Sequence, residues 1–78
     1  MIDSSSFHEW LENNTSYSSA VISDTISRLK RADNILPYTG NETYLFYLEQ
    51  QTGFKELSVS VRSQIRKAVR LYMQMQKL

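Results

Sequence analysis

Cysteine is absent from this chain of 78 residues, and proline and glycine are scarce, with one and two copies. A chain without cysteine has no disulfide, thiolate zinc site or thiol nucleophile, which is typical of a reducing compartment. The sequence also shows no basic N-terminal region followed by an apolar run, and no apolar run near the roughly 18–20 residues of a membrane span. We therefore expect a cytoplasmic protein that does not enter membranes.

Groups that carry catalysis are equally scarce. His8 is the only histidine, and it has no second histidine or paired carboxylate at helical spacing, so it predicts neither a metal site nor a catalytic triad. Gly40 and Gly53 lie in no phosphate-cradling motif. We predict that the chain is not an enzyme and has no catalytic, cofactor-binding or metal-ligating residue, no cofactor and no small-molecule ligand.

The polar and turn residues divide the chain into four helical segments. Ser6 with Glu9 matches a capping box, and Ser58 or Ser60 offers an N-cap for the last helix. Gly53 stands where a helix commonly ends in a left-handed residue. Apolar side chains recur at three- and four-residue steps within each segment. The predicted helices span about residues 6–14, 18–36, 42–52 and 59–76.

The fold class predicted from this pattern is all-α, a compact four-helix bundle that forms a single domain over residues 1–78. No segment alternates apolar and polar residues over the length of a strand, so no sheet is expected. Aromatic side chains on the apolar faces are expected to fill the core, because so small a bundle needs large side chains. These residues are Phe7, Trp10, Tyr44, Phe54 and Tyr72.

The formal net charge of +1 conceals an uneven distribution of charge along the chain. Residues 1–27 hold four acidic side chains and no lysine or arginine, whereas residues 55–78 hold six basic side chains and one acidic one. A basic segment of this kind is what a polyanion-binding face requires. The candidate site consists of the basic residues on the second and fourth predicted helices: Arg28, Lys30, Arg31, Arg62, Arg66, Lys67 and Arg70.

Three of these arginines, Arg62, Arg66 and Arg70, recur every four residues and therefore align along one edge of the last helix. The planar guanidinium group suits phosphate oxygens, so the stripe predicts contacts with a DNA backbone. A solvated basic face that binds nothing has the same composition. The two interpretations differ in geometry, because DNA binding requires both basic clusters on one face and the acidic side chains elsewhere.

Two segments of the chain resemble a known family. Residues 17–31 read YSSAVISDTISRLKR and follow FHEWL at residues 7–11. Together they resemble the opening of the N-terminal core-binding domain of phage integrases and related tyrosine recombinases. Residues 57–72 read LSVSVRSQIRKAVRLY, which is similar to that family's last helix, with its serine-capped start, basic stretch and closing aromatic residue. The chain departs from the family at Ala20 and Val21, where the family often has Asn-Thr, and in its lower net charge.

The resemblance implies a SAM-like bundle of four helices that clamps one side of a DNA duplex, as integrases do during site-specific recombination. Its basic helices would contact the DNA backbone, and at the matching positions these are the same seven basic residues. The resemblance implies no catalytic activity here, since 78 residues are too few to contain the recombinase catalytic domain. The chain would be a fragment of a larger recombinase or a stand-alone relative, with double-stranded DNA as its partner.

A different class of function stays open on the sequence. Leu71, Met73 and Leu78 on the last predicted helix are apolar residues that would dock against another chain, or against a second copy, if they were exposed. The alternative function is therefore a small helical protein–protein interaction domain.

Overall fold

The computed structural model describes residues 2–77, and within that range it contains five α-helices and no strand. Helix α1 spans Ser4–Asn14, α2 spans Ser19–Ile35, α3 spans Tyr44–Gln50, α4 spans Thr52–Lys55 and α5 spans Val59–Gln76. The all-α prediction is confirmed. The first, second and last predicted helices match α1, α2 and α5 to within a few residues, whereas the third is two short helices, α3 and α4.

Helix α1 begins earlier than predicted because an aspartate caps it. The Asp3 carboxylate accepts hydrogen bonds from the Ser6 backbone N–H at 3.0 Å and from the Ser6 hydroxyl at 2.7 Å. These bonds, the backbone one first, hold the pKa of Asp3 below its ordinary value. Aspartate is as good an N-cap as serine, so Ser6 lies inside the first turn, and the predicted capping box of Ser6 and Glu9 is wrong.

The two long helices are capped by serines. The Ser18 hydroxyl accepts the backbone N–H of Val21 at 3.3 Å, and the Ser58 hydroxyl accepts that of Val61 at the same distance. Of the two serines that the sequence offers for the last helix, the cap is therefore Ser58. Both long helices start where a short polar side chain satisfies an otherwise unpaired donor.

The third predicted helix is broken at Gln51, which has extended backbone angles between α3 and α4. The break turns the chain so that Leu48 and Phe54, on either side of it, both lie fully in the core. Gly53 lies within α4 and does not have positive φ, so its predicted role as a left-handed helix end is wrong. The glycine with positive φ is Gly40, at 78°.

The core lies mainly between α2 and α5, with α1 packed across both helices. Four of the five predicted core aromatics are buried, whereas Trp10 is half-buried at the edge of the core. Tyr38 joins them from the loop before α3 and makes edge-to-face contacts with Tyr44 and Tyr72. None of the helices over residues 2–77 has both the length and the apolar character needed to cross a membrane.

Candidate nucleic-acid interface

A groove of about 240 Å³ runs between the two basic helices and contains side chains from both of them. Arg28 of α2 and Lys67 of α5 both line it. Residues that lie far apart in the sequence are thereby brought to one place, since α2 packs more extensively against α5 than against any other helix. The remaining residues that line the groove are Tyr17, Val21, Thr25, Gln64, Ala68 and Leu71.

The floor of the groove is formed by small side chains that let the two helices approach. Thr25 and Ala68 are both buried there. The Thr25 hydroxyl donates to the backbone carbonyl of Val21 at 2.8 Å, so this buried polar group is satisfied within α2. The groove therefore has a neutral floor and a basic rim.

The basic rim of the groove carries two cations that form no ion pair among residues 2–77. Lys67 is exposed, and its Nζ lies 5.6 Å from the centre of the Tyr17 ring, in cation–π geometry. Arg28 is half-buried. Within residues 2–77, no carboxylate lies within ion-pair distance of either side chain. Both cations are therefore available to an anionic ligand.

The predicted arginine stripe of α5 is not uniform. Arg66 is half-buried and forms an ion pair with Glu49 of α3, with Nη2 2.8 Å and Nε 2.9 Å from the same carboxylate oxygen. Its guanidinium also lies 5.5 Å from the centre of the Phe54 ring. Arg66 therefore connects α5 to α3 and α4, and its charge is neutralised inside the protein.

The other two members of the stripe have no such partner. Arg70 is exposed, and Arg62 is half-buried with its Nε shielded from solvent and without a hydrogen-bond partner among the described residues. No carboxylate of residues 2–77 pairs with either guanidinium. Arg62 and Arg70 thus flank the neutralised Arg66 as two free positive charges on one edge of α5.

The predicted basic cluster of α2 is divided between two sides of the helix. Lys30 lines a shallow depression with Ser4, Ser5 and His8 of α1, away from the α2–α5 groove. Arg31 is exposed and lies three residues after Arg28, so these two side chains are neighbours on the helix surface. The structure therefore brings Arg28 to α5, leaves Arg31 exposed on the adjacent turn of α2, and leaves Lys30 beside α1.

Acidic side chains are partly separated from this surface. Glu12 lies on α1 four residues after His8 and pairs with it, with Oε1 3.2 Å from Nδ1, so the prediction that His8 has no carboxylate at helical spacing is wrong. Glu9 is exposed on the same helix. Asp24, however, lies on α2 four residues before Arg28, which places it next to the basic rim. The charge separation required for DNA binding is present for α1 and incomplete on α2.

Four large apolar side chains of residues 2–77 are exposed, Val21 on α2, Val59 on α5, and two aromatic ones on α3, which the sequence did not single out. Phe46 and Tyr47 of α3 are 63% and 56% exposed. The sequence carries a signal for Phe46, which is two residues from both Tyr44 and Leu48 and so lies off the face that they define. It carries none for Tyr47, which is three residues after Tyr44, a spacing typical of the same face. The residues predicted for protein docking lie elsewhere: Leu71 is half-buried in the groove, Met73 is half-buried against the core, and Leu78 lies outside the described residues.

The described part of the chain contains no cluster of histidine and acidic side chains that could hold a metal ion. Comparisons with protein-family models, with curated proteins and with solved structures find no significant match.

Proposed function

We propose that this chain is a non-catalytic DNA-binding module that clamps duplex DNA through backbone contacts from α2 and α5. We also propose that it is a cytoplasmic variant of the SAM-like core-binding bundle of integrases, in which the third helix is broken at Gln51. Its role would be to hold DNA for a catalytic domain or partner chain, as in recombinases of mobile elements.

The observation that carries this proposal is the shared groove rim. Arg28 and Lys67 come from different helices, line the same groove and have no carboxylate within ion-pair distance among residues 2–77. Arg31 and Arg70 are exposed, and each lies three residues after one of the rim cations, on the adjacent turn of its helix. Four unpaired cations on two packed helices suit a row of phosphates better than a single small anion.

We propose a smaller contact set than the seven predicted residues, because two of them do not offer a free charge at the groove. The proposed contact set is Arg28, Arg31, Lys67 and Arg70, with Arg62 at its edge. Arg66 is assigned a positioning role because Glu49 neutralises its charge. Lys30 is left out because it lines the depression next to α1.

The size of the molecule sets the length of DNA for a test. The longest dimension of the protein is 34 Å, which corresponds to about 10 base pairs at roughly 3.4 Å per pair. A labelled duplex of about 20 base pairs therefore accommodates one protein with flanking DNA on both sides.

The test is fluorescence anisotropy of this duplex over a range of salt concentrations. Wild type is compared with the variant Arg28→Ala/Lys67→Ala/Arg70→Ala. If each side chain contacts one phosphate, the triple variant should bind more weakly. Its slope of log affinity against log salt should be flatter by about 2.7, since each contact contributes roughly 0.9.

A matched control is Lys30→Ala/Lys55→Ala/Lys77→Ala, which removes the same charge from exposed positions outside the proposed contact set. It should lose much less affinity than the groove variant. Equal losses in the two triple variants would show that net charge alone governs binding, and absence of binding by folded wild type at low salt would refute the proposal.

A further inference from the structure

Helix α3 presents two aromatic side chains to solvent. Every other phenylalanine, tyrosine and tryptophan of residues 2–77 is buried or half-buried. The rings of Phe46 and Tyr47 lie 5.4 Å apart, edge to face, and are 63% and 56% exposed. We call this pair the α3 aromatic pair. Exposed rings of this size, placed side by side, are typical of a binding surface.

The α3 aromatic pair lies beside the arginine edge of α5. Phe46 is three residues before Glu49, so the two side chains are neighbours on the surface of α3. Glu49 in turn binds Arg66 of α5 at 2.8 Å. Arg62 and Arg70 are each four residues from Arg66 and share its edge of α5.

The chemistry of this surface fits an unpaired nucleobase and its phosphates. A base stacks on an exposed aromatic ring, and a guanidinium without a carboxylate partner donates hydrogen bonds to the adjoining phosphate. Arg62 and Arg70 meet the second requirement, since no carboxylate of residues 2–77 pairs with them. A protein partner would need a surface of opposite charge here, and the free side chains at this edge of α5 are cationic.

We infer that the α3 aromatic pair stacks on an unpaired base of DNA that is single-stranded next to the clamped duplex. This inference rests on the proposed DNA-binding function and names its substrate more narrowly, as duplex DNA with an unpaired segment. The duplex lies on α2 and α5, and the unpaired strand follows the arginine edge of α5 to α3.

The test compares two labelled oligonucleotides, a blunt duplex and the same duplex with a single-stranded tail, by fluorescence anisotropy. The tail should raise the affinity of wild type about tenfold, as expected for one base stacked on an aromatic ring. Phe46→Ala and Tyr47→Ala should remove this increase and leave the affinity for the blunt duplex unchanged. A 2-aminopurine in the tail should be quenched by wild type and not by the Phe46 variant.

Phe46→Leu is the matched control, because leucine retains an apolar side chain and lacks a π-face. It should behave like Phe46→Ala if the contact is stacking. Both variants should keep the wild-type circular dichroism spectrum, since Phe46 is more than half exposed. Full tail binding by Phe46→Leu would overturn the inference and indicate a general apolar contact.

The remaining outcomes separate this inference from the proposed function. Blunt-duplex binding with no gain from a tail overturns the inference alone. Binding of single strands that depends on Phe46, without binding of the blunt duplex, overturns the duplex clamp and supports the stacking contact. If no oligonucleotide binds and Phe46 instead controls self-association in sedimentation equilibrium, both proposals fail and the aromatic pair is a protein interface.

Discussion

At the scale of single residues, Tyr44 shows how one buried side chain ties two elements together. It is the first residue of α3, and its hydroxyl lies 2.6 Å from the carbonyl oxygen of Leu36 and 3.1 Å from that of Ala32. Those carbonyls belong to the end of α2, where helical hydrogen bonds run out. Burial, followed by the nearby Asp33 and Tyr38, raises the pKa of Tyr44 to about 12.

This raised pKa predicts a loss of stability in alkaline solution. The unfolded chain loses the Tyr44 proton near the ordinary pKa of 10.0, whereas the folded chain keeps it up to about 12. Between these values the folded state binds more protons than the unfolded state, so the free energy of unfolding falls as pH rises. The contribution is fully present below pH 10 and is lost through pH 12. Urea denaturation from pH 8 to about 11 measures this decline.

The comparison variant is Tyr44→Phe, which lacks the titrating group. At neutral pH it should be less stable than wild type by about 1–3 kcal/mol, because the Leu36 carbonyl loses the Tyr44 hydroxyl as donor. The Ala32 carbonyl still accepts the backbone N–H of Leu36. Its stability should decline less between pH 10 and 11. Tyr47→Phe, at an exposed position, should follow wild type at every pH, and a parallel decline in all three proteins would contradict the assignment to Tyr44.

The place of a side chain on its helix could be predicted from the sequence better than its contacts with other helices. The arginine stripe of α5 is visible in the spacing of Arg62, Arg66 and Arg70, and all three lie on one helix in the structure. That Arg66 pairs with Glu49 was not predictable, because the two are 17 residues apart and meet only in the tertiary structure. The proposed contact set is smaller than the stripe for this reason, since it leaves out Arg66.

At the scale of elements, the two glycines have opposite roles. Gly40 has φ of 78° in the loop before α3, a conformation that residues with a Cβ atom rarely adopt. Gly53 lies in α4 with an ordinary φ, and a Cβ added there would meet Ile35 at 3.7 Å, an ordinary van der Waals contact. Only Gly40 is required by the backbone.

Alanine substitution at the two glycines should therefore shift stability in opposite directions. Gly40→Ala should lower the free energy of unfolding by about 1 kcal/mol or more, because the left-handed conformation is strained with a Cβ atom. Gly53→Ala should raise it by roughly 0.4–1 kcal/mol, because the unfolded chain loses freedom and the added methyl fits. Thermal denaturation of the pair measures both. A destabilised Gly53→Ala would contradict the ordinary backbone conformation at this position.

The helices that could be predicted are those that local chemistry determines. Helices α2 and α5 begin at serines that accept a backbone N–H and continue through long amphipathic repeats, so sequence and structure agree. The break between α3 and α4 falls at a glutamine, Gln51, and not at a proline or glycine, so the residue type does not predict it. It exists because Leu48 and Phe54 both reach the core, and that is a property of tertiary packing.

At the scale of the whole molecule, the ability of a surface to bind a polyanion depends more on where the charges lie than on the net charge. The sequence shows two basic clusters but not their relative placement, which depends on how α2 and α5 are rotated about their axes. The packing brings Arg28 to the groove rim with Lys67 and turns Lys30 towards α1. A net charge of +1 is thus compatible with a local surface of several unpaired cations.

Two variants with the same net charge distinguish an effect of local charge from an effect of net charge. Glu49→Gln removes the partner of Arg66 and adds a free cation to the arginine edge of α5. Glu9→Gln makes the same change in net charge on α1, at an exposed glutamate that does not line the groove. Glu49→Gln should tighten duplex binding and steepen its salt slope by about 0.9, since Arg66 gains a phosphate contact. Glu9→Gln should leave the slope unchanged.

Stability measurements are needed to interpret this comparison, because Glu49 also holds α3 against α5. The ion pair is partly exposed, with 27% and 35% of its two side chains accessible, so its removal should cost no more than about 1 kcal/mol. The variant therefore stays folded under the conditions of the titration. If both variants steepen the salt slope equally, DNA responds to net charge and no local face exists; if only Glu49→Gln does so, the arginine edge of α5 belongs to the contact surface.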